Sequence, residues 1–179
     1  MTSATTPAGT PASDRLRLRL PRPEDAPFLA HLASPQVAGE VNFFPPEGDG
    51  PGDRLTAADV GAGSMLAELP DGTPVGDVSW FAVPYGPNRR SLAWRIGCTI
   101  DVPHRGRGHG SLAQRLLADH LFATTPSNRV EADTDVENGA EQRALEKAGF
   151  IREAVLRGAQ YRGGRWHDMA FYARLRGDA

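Results

Sequence analysis

The fold is best inferred from Ile100-Asp101-Val102-Pro103-His104-Arg105-Gly106-Arg107-Gly108-His109-Gly110. An apolar, strand-like run from Leu92 to Val102 leads into this glycine-rich segment. Apolar residues at helical spacing follow it from Ser111 to Phe122. The sequence therefore predicts a loop that joins the end of a strand to the start of a helix.

This loop has the composition of a phosphate-binding site. A glycine-rich turn at a helix start exposes backbone N–H groups, and the helix dipole favours anions there. The three glycines allow a diphosphate to approach the backbone, while Arg105, Arg107 and His109 supply charge-assisted hydrogen bonds. The alternatives are a solvated loop without a ligand and an RGG-type RNA-binding segment, which a single motif inside a folded frame disfavours.

Other phosphate and metal motifs do not fit. A Walker loop requires Gly-Lys-Ser/Thr, which is absent, and the dinucleotide pattern fails because Ser111 stands where its third glycine belongs. The segment Asp133–Gly139 departs from a calcium loop, with Ala144 instead of glutamate at the twelfth position. The five histidines lack metal-ligand spacing, so we assign no metal.

Composition favours one globular domain without a nucleic-acid or membrane partner. The 179 residues carry 20 Lys and Arg against 22 Asp and Glu, so no strong overall field attracts such polyanions. The single cysteine, Cys98, cannot form an internal disulfide, and neither a secretion signal nor a long apolar run is present. We expect a cytoplasmic protein with a disordered tail over residues 1–13 and one domain over residues 14–179.

The hydrophobic pattern predicts an α/β (α+β) domain around one mixed, mostly antiparallel twisted sheet flanked by helices. Strands are predicted at Leu16–Leu20, Ser64–Leu69, Val75–Val83, Leu92–Val102 and Arg129–Thr134, with a C-terminal β-hairpin formed by Arg152–Tyr161 and Trp166–Leu175. Helices are predicted at Pro23–Leu32, Ser111–Phe122 and Asn138–Ala148. The proline- and glycine-rich segment Phe43–Gly63 is interpreted as a substrate lid or an insertion.

The glycine loop resembles the Arg/Gln-x-x-Gly-x-Gly/Ala signature of the GNAT acetyltransferase superfamily, which holds the pyrophosphate of coenzyme A. The stretch Asn138–Phe150 is similar to a second motif, typical of the RimJ/RimL-type branch that acetylates protein N-termini. The likeness covers roughly Asp14 to Leu175. It implies a GNAT-like fold and an acetyl-CoA-dependent N-acetyltransferase.

The resemblance also implies which residues contact the cosubstrate. The strand end is expected to pair with the pantetheine arm, and Asn138 with the following helix is expected to line the thiol end. The implied coenzyme A-binding residues are Ile100, Asp101, Val102, Arg105, Gly106, Arg107, Gly108, His109, Gly110, Ser111, Asn138 and Arg143.

Acid–base chemistry is less clearly marked. The candidate bases are Glu131 and Asp133, which alternate onto one face of a strand, and Glu40, which precedes the variable loop. Glu141 is interpreted mainly as the partner of Asn138 in a capping box, with catalysis as the alternative. The backbone N–H near Val102 is expected to polarise the thioester oxygen.

Relatives often carry a serine, a tyrosine and a glutamate at positions occupied here by Glu141, Leu145 and Gln160. The predicted reaction is direct attack of a primary amine on acetyl-CoA, the amine belonging to a protein N-terminus or a small molecule. The alternatives are a non-catalytic acyl-CoA-binding or sensing module and a transferase of a longer acyl group. An exposed edge of the C-terminal hairpin would allow a homodimer.

Overall fold

The computed structural model describes residues 16–42, 61–86 and 89–178. The strands are β1 (Arg17–Arg19), β2 (Ala62–Glu68), β3 (Pro74–Pro84), β4 (Leu92–Ile100), β5 (Arg129–Asp135), β6 (Ile151–Arg162) and β7 (Arg165–Leu175). The α-helices are α1 (Ala26–Leu32), α2 (Pro35–Asn42), α3 (His109–Thr124) and α4 (Gly139–Lys147). Within the described ranges, the strands form one sheet in the order β1-β2-β3-β4-β5-β7-β6.

The sheet is mixed, as predicted, and its one parallel contact positions the site. Every other neighbouring pair is antiparallel. The parallel strands β4 and β5 pair only at Trp94 with Val130 and at Arg95 with Glu131. From Ile96 onward β4 pairs, among the described strands, with β3 alone, so a cleft opens between β4 and β5 toward their carboxyl ends.

Helix α3 covers the core. Of the apolar residues whose spacing predicted this helix, Leu117 and Leu121 are buried, whereas Leu112 and Leu116 are partly buried against the core. Ala113, Leu117 and Leu121 recur every four residues and are buried. Burying each leucine contributes roughly 1.5–3 kcal/mol relative to leaving it exposed. Trp94 of β4 packs against this core and donates from Nε1 to Thr125 Oγ1 at 3.0 Å, as expected for a core tryptophan.

Two local features differ from the predictions. Helix α1 ends at Leu32, as predicted, but a second helix that was not predicted, α2, begins at Pro35, a residue well suited to a first helical position. Gly39 interrupts α2 with φ 63° and ψ −174°, which explains why the helical pattern there is weak. The second difference is at the carboxyl end of β4. This strand was predicted to reach Val102, but it ends at Ile100, and Val102 lies in a short 3₁₀ turn.

The C-terminal hairpin is present, with its turn at Gly163 and Gly164, both at positive φ. Strand β6 lies at the edge of the sheet and is exposed from residue 151 to 159. A homodimer through this edge stays a prediction. None of the helices in the described ranges combines the length and apolarity needed to cross a membrane. The predicted tail 1–13 and most of the Phe43–Gly63 segment, residues 43–60, lie outside these ranges.

Candidate active site

The glycine loop forms the start of α3 as predicted. Gly106 and Gly108 have φ of 73° and 83°, a left-handed conformation that other residues adopt only with strain. Gly108 is the N-cap of α3 and brings no capping side chain. The first intrahelical hydrogen bond runs from Leu112 N–H to Gly108 O at 3.1 Å. The helical N–H groups before Leu112 are therefore available to an anion.

A pocket of about 350 Å³ opens beside this loop. Its walls come from the end of β4, the loop with the first turn of α3, and one face of α4 along its whole length. It is lined by Cys98, Thr99, Ile100, His104, Arg105, Gly106, Gly108, His109, Gly110, Ser111, Asn138, Ala140, Glu141, Arg143, Ala144 and Lys147. The pocket therefore lies at the carboxyl end of β4.

The structure brings most of the predicted coenzyme A-binding residues together around this pocket. Asp101, Val102 and Arg107 are the predicted residues that do not line it. Asp101 Oδ1 accepts a hydrogen bond from Val102 N–H at 2.8 Å and contacts His31 Nε2 at 3.0 Å. The Val102 N–H is thus already bonded, which argues against the expected role in polarising a thioester.

Arg105 lines the pocket, but its guanidinium is bonded elsewhere. Its Nε donates to Ile100 O at 2.8 Å, and its Nη2 donates to Val37 O in α2. His109 also departs from the prediction of a cationic flank. Burial lowers the pKa of His109, and the charges of His104 and Arg107 lower it further, so neutral imidazole predominates at pH 7.

Glu141 is the clearest revision to the sequence-based interpretation. Asn138 caps α4, its Oδ1 accepting from Glu141 N–H at 3.2 Å. The reciprocal half of the predicted capping box is absent, since Asn138 N–H donates to Asp135 O at 2.9 Å. The Glu141 side chain instead lines the pocket. Burial raises the pKa of its carboxyl to about 7, against a lowering effect of the Gln114 amide.

Cys98 shares the pocket with Glu141. Burial raises the pKa of its thiol well above the ordinary value, and the negative charges of Glu141 and Asp77 add to this shift. Cys98 therefore stays a neutral thiol at physiological pH, and its side chain serves as an apolar wall of the pocket.

Glu131 is placed differently from Glu141. Its side chain is 0% exposed, and its two oxygens accept from Arg95 Nη2 at 3.1 Å and Arg129 Nε at 2.6 Å. Arg129 extends the network to Glu153, with Nη1 at 3.0 Å from Oε1. Both Glu131 oxygens are held by guanidinium groups, so this predicted base is built into an ion-pair network.

Asp133 follows Glu131 on the same face of β5 and is less constrained. Its Oδ1 lies 3.6 Å from Arg95 Nε, and its side chain is 28% exposed. Burial raises the pKa of Asp133, the charge of Arg95 opposes the shift, and Glu131 adds to it. Glu40, the third predicted base, follows the break in α2 at Gly39, and its side chain lies outside the described part of the chain.

Two polar residues near the pocket were missed by the sequence analysis. Gln114 in α3 is 1% exposed, and its amide is close enough to the Glu141 carboxyl to lower the pKa of that group. The sequence offered a signal for this residue, because Gln114 lies on the same face of the predicted helix as the apolar residues Ala113 and Leu117. Asp77 in β3 is the second: burial raises its pKa to about 6, while a hydrogen bond with Thr99 opposes the shift.

A separate cluster of polar side chains links the C-terminal hairpin to the end of β5. His167 Nδ1 lies 2.7 Å from Asp135 Oδ2, and Arg162 is hydrogen-bonded to the same carboxylate. Asp135, Glu137 and His167 each offer one atom that could bind a metal ion, and these three atoms lie within 4.8 Å of one another. Because the Arg162 guanidinium already supplies a positive charge to this group, we interpret it as a structural ion-pair network.

Comparison with known proteins places this architecture in a family. The sequence model of the acetyltransferase (GNAT) domain matches residues 15–151. A probable N-acetyltransferase, YjcK, from Bacillus subtilis is 34% identical over 104 residues, which are 58% of this chain and 56% of that protein. The chain spans about half the length of the curated relatives it matches.

Solved structures share the fold over almost the whole chain. Spermidine N-acetyltransferase from Vibrio cholerae, in complex with CoA and spermine, superposes with a TM-score of 0.74 at 18% identity and covers 92% of this chain and 97% of that chain. RimL, a ribosomal L7/L12 α-N-protein acetyltransferase in complex with coenzyme A, gives 0.71 at 22% identity and covers 92% and 96%. The chain belongs to the GNAT acetyltransferase domain family.

Proposed function

We propose that this protein transfers an acetyl group from acetyl-CoA to a primary amine by direct attack within a ternary complex. The observation that carries the proposal is one continuous pocket. Its lining includes both the glycine loop at the start of α3 and the half-buried Glu141 side chain. In this proposal the glycine loop binds the diphosphate of acetyl-CoA, and Glu141 donates a proton within the same pocket.

Several features of the pocket suit coenzyme A. The N–H groups at the start of α3 would bind the pyrophosphate, with Arg107 on the exposed loop and Arg143 and Lys147 in α4 as nearby cations. In the part of the chain that the structure describes, the edge of β4 facing the cleft lacks a strand partner from Ile96 onward, which would let its backbone pair with the amides of the pantetheine arm.

The residues on either side of the cleft support the proton transfers of the reaction. The attacking amine loses a proton, a C–N bond forms, the C–S bond breaks, and the thiolate gains a proton. Asp133 is our candidate base, since both Glu131 oxygens are occupied and the raised pKa of Asp133 makes it a stronger base than an ordinary aspartate. Glu141 is our candidate acid, because a pKa of about 7 keeps much of its carboxyl protonated at neutral pH.

The acceptor is a protein N-terminus or a small-molecule amine. Structures with this fold include enzymes named for both kinds of acceptor, a spermidine N-acetyltransferase and the ribosomal-protein acetyltransferase RimL. Positioning an amine beside the thioester removes a large part of the barrier in either case. Spermidine and peptides with free N-termini are therefore the first acceptors to test.

Calorimetric titration with acetyl-CoA, with ATP and NAD as controls, tests the proposal. We expect acetyl-CoA to bind with a Kd of about 1–100 μM, and the controls much more weakly. Release of the coenzyme A thiol with either acceptor, measured with a thiol reagent, would then establish transfer. Absence of acetyl-CoA binding would contradict the proposal. Binding without turnover would favour a sensing module, and faster turnover with longer acyl-CoAs would favour a different acyl group.

A further inference from the structure

Two side chains near the glycine loop are bonded to the first two helices. Asp101 contacts His31 of α1, Oδ1 to Nε2 at 3.0 Å. Arg105 bridges two carbonyls, that of Ile100 at the end of β4 and that of Val37 in α2. The segment between β4 and α3 is thereby tied to α1 and α2 by charged groups.

The carbonyl of Val37 needs such a donor. Val37 is 1% exposed, and in a regular helix its carbonyl would accept from the N–H four residues later. Gly39 leaves the helical conformation in between, with ψ −174°, and so interrupts this pattern. A buried carbonyl without a partner is costly, and the Arg105 guanidinium supplies the hydrogen bond.

Helices α1 and α2 have little stability of their own. They contain 7 and 8 residues, and isolated helices below about 12 residues are marginal in water. Their order therefore depends on contacts such as those from Asp101 and Arg105. A ligand that fixes the backbone of the glycine loop also fixes the position of the Arg105 Cα atom, and with it the hydrogen bond from Arg105 to Val37 in α2.

We propose that Arg105 is a positioning residue that couples occupancy of the pocket to the stability of α1 and α2, and that it is not a phosphate ligand. The proposal rests on the proposed function in taking coenzyme A as the ligand of the loop. Arg107, exposed and two residues away, is then the arginine of the loop that contacts phosphate. By linkage, stabilising α1 and α2 strengthens coenzyme A binding by the same factor.

Hydrogen exchange with coenzyme A as the probe tests this coupling. In the wild-type protein, saturating coenzyme A should slow amide exchange over residues 26–37 by about fivefold or more. Arg105→Ala should speed exchange there without ligand, lose the ligand-dependent protection, and weaken coenzyme A binding by about the same fivefold factor, as linkage requires. Arg105→Lys keeps one donor but not the bidentate fork, so about half of the protection should return.

Arg107→Ala is the matched control. It should weaken coenzyme A binding about tenfold, yet keep full protection of residues 26–37 at saturation. The proposal is overturned if Arg105→Ala weakens binding as much as Arg107→Ala while protection persists. It is also overturned if coenzyme A binds the wild-type protein without changing exchange over residues 26–37. Failure of coenzyme A to bind wild type at all would instead contradict the proposed function.

Discussion

Glu131 and Glu141 are two glutamates with opposite surroundings, the first fully buried and the second half-buried at the pocket. Glu131 lies between the guanidinium groups of Arg95 and Arg129, and both of its oxygens are hydrogen-bonded. Glu141 has no cationic partner in the part of the chain that the structure describes, and burial raises the pKa of its carboxyl to about 7. A buried carboxylate bound by cations stabilises a fold, whereas an unpaired one near neutrality is suited to proton transfer.

The largest expected effect separates the two glutamates by function. Glu141→Gln removes the proposed proton donor with little change in shape, so turnover should fall by about 100-fold or more. Steady-state kinetics of thiol release measure this, with acetyl-CoA affinity as a check that the pocket is intact. Turnover within a factor of three of wild type would show that another group protonates the thiolate.

The complementary change concerns stability. Glu131→Gln leaves Arg95 and Arg129 without their shared charge, and the unfolding free energy should fall by about 2–3 kcal/mol, reduced from the value for a fully buried pair because both arginines are partly exposed. Urea denaturation measures the change. The control Glu24→Gln, in an exposed pair at 4.0 Å, should alter stability by less than about 0.5 kcal/mol.

Stability should also depend on pH through Glu141. Its folded-state pKa is about 7 against an ordinary value of 4.5, so the folded protein binds more protons between these values and stability falls as pH rises through that window. Asp77, with a pKa of about 6, acts similarly at lower pH. The slope between pH 6 and 7, at most about 1.4 kcal/mol per unit, should shrink in Glu141→Gln. Equal slopes in urea titrations of both proteins would contradict the assignment.

The smallest effect is expected at Cys98. Because burial raises the pKa of its thiol, little thiolate exists at pH 7, and Cys98→Ala should change turnover by less than about threefold. The thiol should also react with iodoacetamide more slowly than a free cysteine. Rapid alkylation, or loss of turnover in the variant, would indicate a reactive cysteine in the pocket.

Much of this could be predicted from local sequence. The alternation in β4, the glycine loop and the apolar stripe of α3 each lie within a short stretch, so strand, turn and helix followed directly. The contacts of individual side chains could not be predicted in this way. Glu131 meets Arg95 only through the register of β4 and β5, and Arg105 reaches Val37 across 68 residues. Such contacts depend on the assembled sheet, which no local pattern encodes.

Glu141 illustrates the same limit within one turn of helix. The spacing Asn138-x-x-Glu141 fits a capping box, and the backbone half of that cap is present. The side chain lines the pocket, close enough to α3 for the Gln114 amide to influence its pKa. Tertiary packing thus places this side chain in the pocket, and its role in catalysis stays a prediction.

The placement of acetyl-CoA on the glycine loop is tested most directly by calorimetry on Gly108→Asp. Gly108 has φ 83°, and the substitution adds strain and a negative charge beside the proposed pyrophosphate site. The control Gly164→Asp carries the same substitution at φ 79° in the β6–β7 turn. We predict that acetyl-CoA affinity falls by about 30-fold or more in Gly108→Asp and stays near wild type in Gly164→Asp. Unchanged affinity in a folded Gly108→Asp protein would contradict the assignment of the loop.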